Sequence, residues 1–290
     1  MVHHMMRLRE RSKQKILYTI WHKHQPMTPK RGQITVFIII GIAILVVVGA
    51  LFYFRGRGAA PSISEEVTID TSSLNAFVSS CAKQTAQDAV VYTGLRGGLY
   101  TGLSGVVPFS ERYHIYNGIA IPYYFYKGED RSLTEEEVKE TLQSYMNNAI
   151  KACTGGFDAF KQQGYAVEEG DITSAVTLAD EEILFDLTYP VTIVKGDSRE
   201  TEQNFNSKVS INLPKMLGAA REYIAAQKDN PDAFRTGHLI DIASDNGIKF
   251  EAINRGLGVV VISLVDENTV INNNPFRFTF AVKYDWTSPE

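Results

Sequence analysis

Residues 34–54, ITVFIIIGIAILVVVGALFYF, form an uncharged apolar run of 21 positions, bracketed by Lys30-Arg31 before it and by Arg55 and Arg57 after it. At a rise of ~1.5 Å per residue such a helix is roughly 31 Å long, close to the hydrocarbon thickness of a bilayer. A helix on the surface of a soluble domain keeps a polar stripe toward water, and this run has none. Its reading divides the chain into a basic head or leader (1–32), a transmembrane helix (33–55), a linker (56–72) and a large extracytoplasmic domain (73–290).

Orientation follows from the basic residues. Positions 1–31 hold eight Lys/Arg against one acid, Glu10. The positive-inside rule therefore places the N-terminus in the cytoplasm and the large domain across the membrane, at the cell surface. Residues 58–290 hold the remaining 19 Lys/Arg and 32 Asp/Glu, a formal charge of −13 hidden by the overall −4. Such acidity argues against nucleic acid as a partner. The expected partners are the lipid bilayer, through residues 34–54, and other surface or envelope proteins. A cleaved secretory signal has a shorter apolar core and small residues at its end, whereas this run is full length and closes on Phe52-Tyr53-Phe54.

The junction Lys30-Arg31-Gly32-Gln33-Ile34 resembles the archaeal class III signal peptides read by prepilin peptidases. The resemblance covers about residues 30–54. It implies cleavage between Gly32 and Gln33, after which the apolar helix would remain as an anchor or as the packing segment of a type IV pilin-like subunit. Starting at Met27 would give the short leader MTPKRG that this resemblance implies.

Beyond the linker, Thr71-Ser72-Ser73 precede a predicted helix over 74–93, in which Leu74, Phe77, Val78, Cys81, Ala82, Ala89 and Tyr92 form one stripe. The glycine-rich stretch 93–105 lacks the Gly-Lys-Ser/Thr ending of a phosphate loop and follows a helix rather than a strand, so it reads as a turn region. Ser132-Leu-Thr-Glu135 has the capping-box pattern and opens a helix to about 153, closed by Gly155-Gly156. Alternation then predicts strands near 164–168, 173–179, 183–194 and 200–213. Helices follow over 215–228 and 232–244, and strands over 248–254, 257–265 and 275–285. The expected fold class is α+β, with helices packed on antiparallel sheet. The order of elements allows either one shared sheet or two helix-plus-strands modules, 73–213 and 214–290.

Three groups of residues stand out. Cys81 and Cys153 are the only cysteines, each on the apolar stripe of a predicted helix, and outside the cytoplasm such a pair forms a disulfide. Neither has a basic or imidazole activator nearby in sequence, which argues against a catalytic thiol. Tyr113, Tyr116, Tyr123, Tyr124 and Tyr126 crowd into one short stretch. Tyrosine offers flat apolar area with a polar tip, so this stretch is the candidate contact surface, or else a buried strand with an ordered loop. The histidines build no catalytic or metal set. His3, His4, His22 and His24 lie in the head, His114 stands alone, and His238 pairs at most with Asp241 on one helical face. No HExxH, GxSxG, SxxK or dinucleotide fingerprint occurs, and no cofactor is implied. The chain thus reads as a single-pass surface protein that binds or scaffolds. A processed pilin-like subunit is the first alternative, and a membrane-anchored hydrolase without a recognisable motif is the second.

Overall fold

Thirteen consecutive residues, Ser198–Ser210, pair with the fourteen of Glu182–Lys195, and this long hairpin organises one of two sheets. Both strands alternate, sending Ile183, Phe185 and Leu187 and, across the ladder, Phe205 and Val209 to one buried face. The computed structural model of the protein describes residues 71–103 and 110–286. The calls on the head, the apolar run and the Gly32-Gln33 junction lie outside these residues. No helix among the described residues is long and apolar enough to cross a membrane.

The elements run α1 (Ser72–Leu95), β1 (Tyr113–Tyr116), β2 (Ile119–Tyr126), β3 (Glu129–Asp130), α2 (Glu135–Thr154), β4 (Ala166–Glu169), β5 (Thr173–Leu178), β6 (Glu182–Lys195) and β7 (Ser198–Ser210). They continue with α3 (Leu213–Gln227), α4 (Thr236–Asp245), β8 (Lys249–Gly256), β9 (Val259–Ile271) and β10 (Asn274–Lys283). Glu65–Glu290 make one compact unit. In the four-stranded sheet, β6 pairs with β7 along one edge and with β5 and then β4 along the other, all antiparallel. Pro190 falls within β6, where it cannot donate to a ladder. The register with β7 shifts between Thr188 and Val191, and the Pro190 carbonyl accepts from Gly170 N at 2.7 Å.

The six-stranded sheet has the order β1-β2-β10-β9-β8, with β3 also on β2. It is antiparallel except for β2, which runs parallel to β10. This corrects the expectation of purely antiparallel sheet. It also rules out two self-contained modules, because a strand of 73–213 and a strand of 214–290 are direct neighbours. Helix α2 matches its sequence signals closely. In α2, Thr134 and Glu137 complete the capping box, with Glu137 Oε2 accepting from Thr134 N at 2.8 Å, and Gly155 forms the C-cap. In α1 the N-cap position is Thr71, yet no side chain caps it, so this helix owes its place to packing instead.

α1 touches both β7 and β10, and it crosses α2. The face toward them includes Ala82, Ala86 and Ala89, all fully buried, which lets strands and helix approach closely. Where α1 ends, Gly94 lies against β10, and a Cβ there would collide with the Arg277 carbonyl and come within 2.6 Å of the Phe276 ring. The glycine-rich stretch is structural at this point, as its sequence implied. Cys81 of α1 and Cys153 of α2 are disulfide-bonded, with Cα atoms 5.6 Å apart and 72 positions between them.

Removing that link should be costly. In the chain-entropy picture a loop of this length contributes about 4 kcal/mol. The Cys81→Ala/Cys153→Ala variant of the full chain is expected to melt roughly 8–16 °C lower than the parent. Thermal unfolding followed by circular dichroism, with and without reductant, measures this. An unchanged midpoint would mean that α1–α2 packing alone holds the helices together.

Candidate functional site

Ile119, Ile121 and Tyr123 of β2 face one side of the sheet, and a register shift against β10 then turns Tyr124 and Phe125 together to the other, with Tyr126 back on the first. Tyr124 is fully buried, stacks on Phe280 with ring centroids 5.1 Å apart, and donates its hydroxyl to the Gly97 carbonyl at 2.8 Å. It therefore does not belong to a contact surface, and its inclusion there is corrected. The pleat sends it inward, and the long phenol reaches the turn after α1. Phe125, next to it, is buried against Tyr284.

The other four tyrosines gather on the opposite side. Asn117 and Gly118, both at positive φ, turn the chain tightly between β1 and β2. The resulting hairpin forms one edge of the sheet, on whose outer face Ile121, Tyr123, Val259, Val261 and Ala281 form a second small apolar cluster with Tyr116, Ile119 and Tyr126 packed on it. Tyr123 meets Tyr126 edge to face at 5.2 Å. Tyr113, Tyr116 and Tyr126 remain half-buried, while Tyr123 is 9% exposed. Four of the five predicted tyrosines thus share one surface.

Cations ring this surface on a domain that is otherwise acidic. Arg131 lies 4.2 Å over the Tyr126 ring and is paired with Glu129 at 2.7 Å, and Arg255 lies 5.0 Å over Tyr116. Lys127 is held by Asp285 at 3.4 Å. Lys283 donates to the Leu257 carbonyl. Neither Lys283 nor Arg112 has a carboxylate partner among the described residues.

Two cavities open here, and Tyr123 lines both. One, of about 310 Å³, is lined by Glu111, Tyr113, His114, Tyr126 and Lys283 among others. The second, of about 330 Å³, is lined by Arg112, Pro122, Arg131 and Glu137 among others. His114 Nε2 is buried and has no hydrogen-bond partner among the described residues. Burial, followed by the charges of Arg255 and Lys283, holds the His114 imidazole below its ordinary pKa, so the ring is neutral at pH 7 and can either donate or accept. The hairpin and its histidine were not foreseen in the sequence, although Asn117-Gly118 is the strongest short-range hairpin signal available.

A larger cleft of about 880 Å³ runs along α1 beside β6 and β7. Lys208 there is already paired with Glu182 at 3.2 Å, and none of the orphaned buried polar atoms among the described residues lines it. Size therefore ranks it first and chemistry does not. His238 is half-buried on α4 with an unpartnered Nε2, Asp241 is exposed, and no hydrogen bond joins them among the described residues. No group of three or more His, Cys, Asp or Glu side chains among the described residues is placed to hold a metal ion.

The inward and outward tyrosines should behave differently. Tyr124→Phe strands a buried carbonyl and is expected to cost about 1 kcal/mol in denaturant unfolding, while Tyr126→Phe is expected to be near neutral. Burial raises the phenols of Tyr124, Tyr189, Tyr223 and Tyr284 above their ordinary values, that of Tyr223 to about 12. Because the folded pKa is raised, their stabilising effect is complete below pH ~10 and is lost as pH climbs past that point. Absorbance at 295 nm should therefore rise in two steps. The first is reversible near pH 10, from surface phenols, and the second coincides with loss of ellipticity.

Compared with known proteins, the chain matches no family model, no curated protein and no solved structure, and its site rests on the residues above.

Proposed function

We propose that the chain is a single-pass, membrane-anchored protein whose extracytoplasmic domain binds a component of the cell surface, and that it works by contact rather than by chemistry. The observation that carries the binding role is the grouping of Tyr113, Tyr123 and Tyr126, charged side chains of both signs and an orphaned imidazole nitrogen around two adjoining cavities. Aromatic and arginine side chains are the groups that most often dominate binding energy at such surfaces. The anchoring role rests on the apolar run 34–54 and on the basic residues before it. The Cys81–Cys153 disulfide supports an oxidising compartment for the domain.

Two experiments test this reading. A reporter fused after Glu290 is expected to be active only outside the cytoplasm, and activity inside would sink the topology. A photo-crosslinking amino acid at Tyr126 of the full chain is expected to capture material on intact cells, whereas the same probe at exposed Glu200 on β7 should capture none. Equal capture at both positions would remove the tyrosine face from consideration.

The junction Lys30-Arg31-Gly32-Gln33 favours a second reading, a pilin-like subunit assembled through residues 33–54. N-terminal sequencing of protein from native membranes separates the two readings. A mature terminus at Gln33, together with surface filaments lost on Gly32 substitution, would replace the plain anchor.

A further inference from the structure

β8 ends one side of the six-stranded sheet, and among the described residues it pairs with β9 alone. Its other side offers a row of backbone N–H and C=O groups that no other described element takes up. Seven of its eight residues are exposed, and only Phe250 is half-buried. An open edge of this kind accepts a further strand unless its side chains forbid it.

The side chains on one face decide which strand fits. The register with β9 sets Glu251 opposite Ser263 and Ile253 opposite Val261, and Val261 belongs to the outer apolar cluster. Arg255 follows a register shift, and its side is fixed independently, because it lies over Tyr116 on that same cluster. Glu251, Ile253 and Arg255 therefore share the outer face, in the order acid, apolar, base. Ile253 keeps 38% of its surface exposed. Glu251 holds Arg277 through Oε2 at 2.7 Å, which leaves Oε1 to accept from a second cation. Arg255 has no carboxylate partner among the described residues.

That order is self-complementary. When two copies of β8 run antiparallel with Ile253 opposite Ile253, each Glu251 falls opposite the other copy's Arg255. Both ion pairs and the central apolar pair then lie on one face, since residues directly opposite in a ladder share a side. The neighbouring registers fail. Centring on Ala252 sets Lys249 against Arg255, centring on Glu251 sets two carboxylates together, and centring on Asn254 sets Ile253 against Arg255. Charges that only guard an edge disfavour a second copy, whereas these favour it in one register.

We infer that β8 is a self-association edge, joining two copies of this chain antiparallel about Ile253 into one continuous sheet, with Glu251 of each paired to Arg255 of the other. Such an interface is isologous, so it closes at two copies and does not propagate. It sets the two tyrosine faces side by side, and it does not rest on what those faces bind.

Disulfide trapping of the full chain in native membranes tests it. The two native cysteines are bonded to each other, so an added cysteine is the only free thiol. Residues directly opposite in an antiparallel ladder have Cα atoms roughly 4.5–5.5 Å apart, within the span of a disulfide. Ile253→Cys, on the two-fold axis, is expected to link two copies under copper–phenanthroline oxidation, read as a dimer band without reductant. Lys249→Cys, which would face Leu257 of the second copy, is expected to give little. In the Ile253→Cys background, Arg255→Glu should cut the linked fraction roughly tenfold, since both ion pairs become repulsions. Adding Glu251→Arg restores opposite charges across each pair and should restore linking, a recovery that a misfolded chain would not show. Equal linking at positions 249 and 253 would mean contact through another surface, such as the apolar run, and would overturn the inference. Linking that is absent at Ile253→Cys, indifferent to Arg255→Glu, or not recovered on exchanging the charges would overturn it as well.

Discussion

The whole domain turns on the burial of α1. A helix that contacts both β7 and β10 must present small side chains where the strands come close, and Ala82, Ala86 and Ala89 supply them. Its C-terminus has to seat against β10, which is why Gly94 occupies a position where even a methyl group would strike the Arg277 carbonyl. Interiors pack at near-crystalline density, so none of these contacts can be traded for a larger side chain without moving a sheet. The disulfide adds a covalent term where α1 crosses α2. Helix, two sheets and disulfide form a single mechanical unit.

The candidate site inherits its rigidity from that unit. β2 reaches the six-stranded sheet by pairing in parallel with β10, the same strand on which α1 ends. Its inward side chains, Tyr124 and Phe125, are fixed by Phe280 and Tyr284 from the core. The pairing of β2 with β10 skips a residue between Tyr123 and Phe125, so Tyr124 and Phe125 both turn inward while Tyr123 stands on the outer face. A strand whose one face is locked in the core is a precise platform for the other, more so than a loop would be. The core tyrosine and the surface tyrosine are adjacent residues with opposite fates for this reason.

Much of the fold was readable in the sequence where the signal is local. The capping box at Thr134, the alternation through Ile183, Phe185 and Leu187, and the two cysteines on apolar stripes each depend on neighbours within a few positions or on simple pairing. The site was readable only in part. Tyrosine is compatible with both burial and exposure, so a run such as Tyr123-Tyr-Phe-Tyr126 does not reveal which phase of the pleat points inward. That phase is set by β10, some 155 positions later, through a parallel pairing that no local pattern announces. Pro190 shows the converse case. A proline in a predicted strand argues for a break, yet the chain keeps β6 continuous by shifting register against β7.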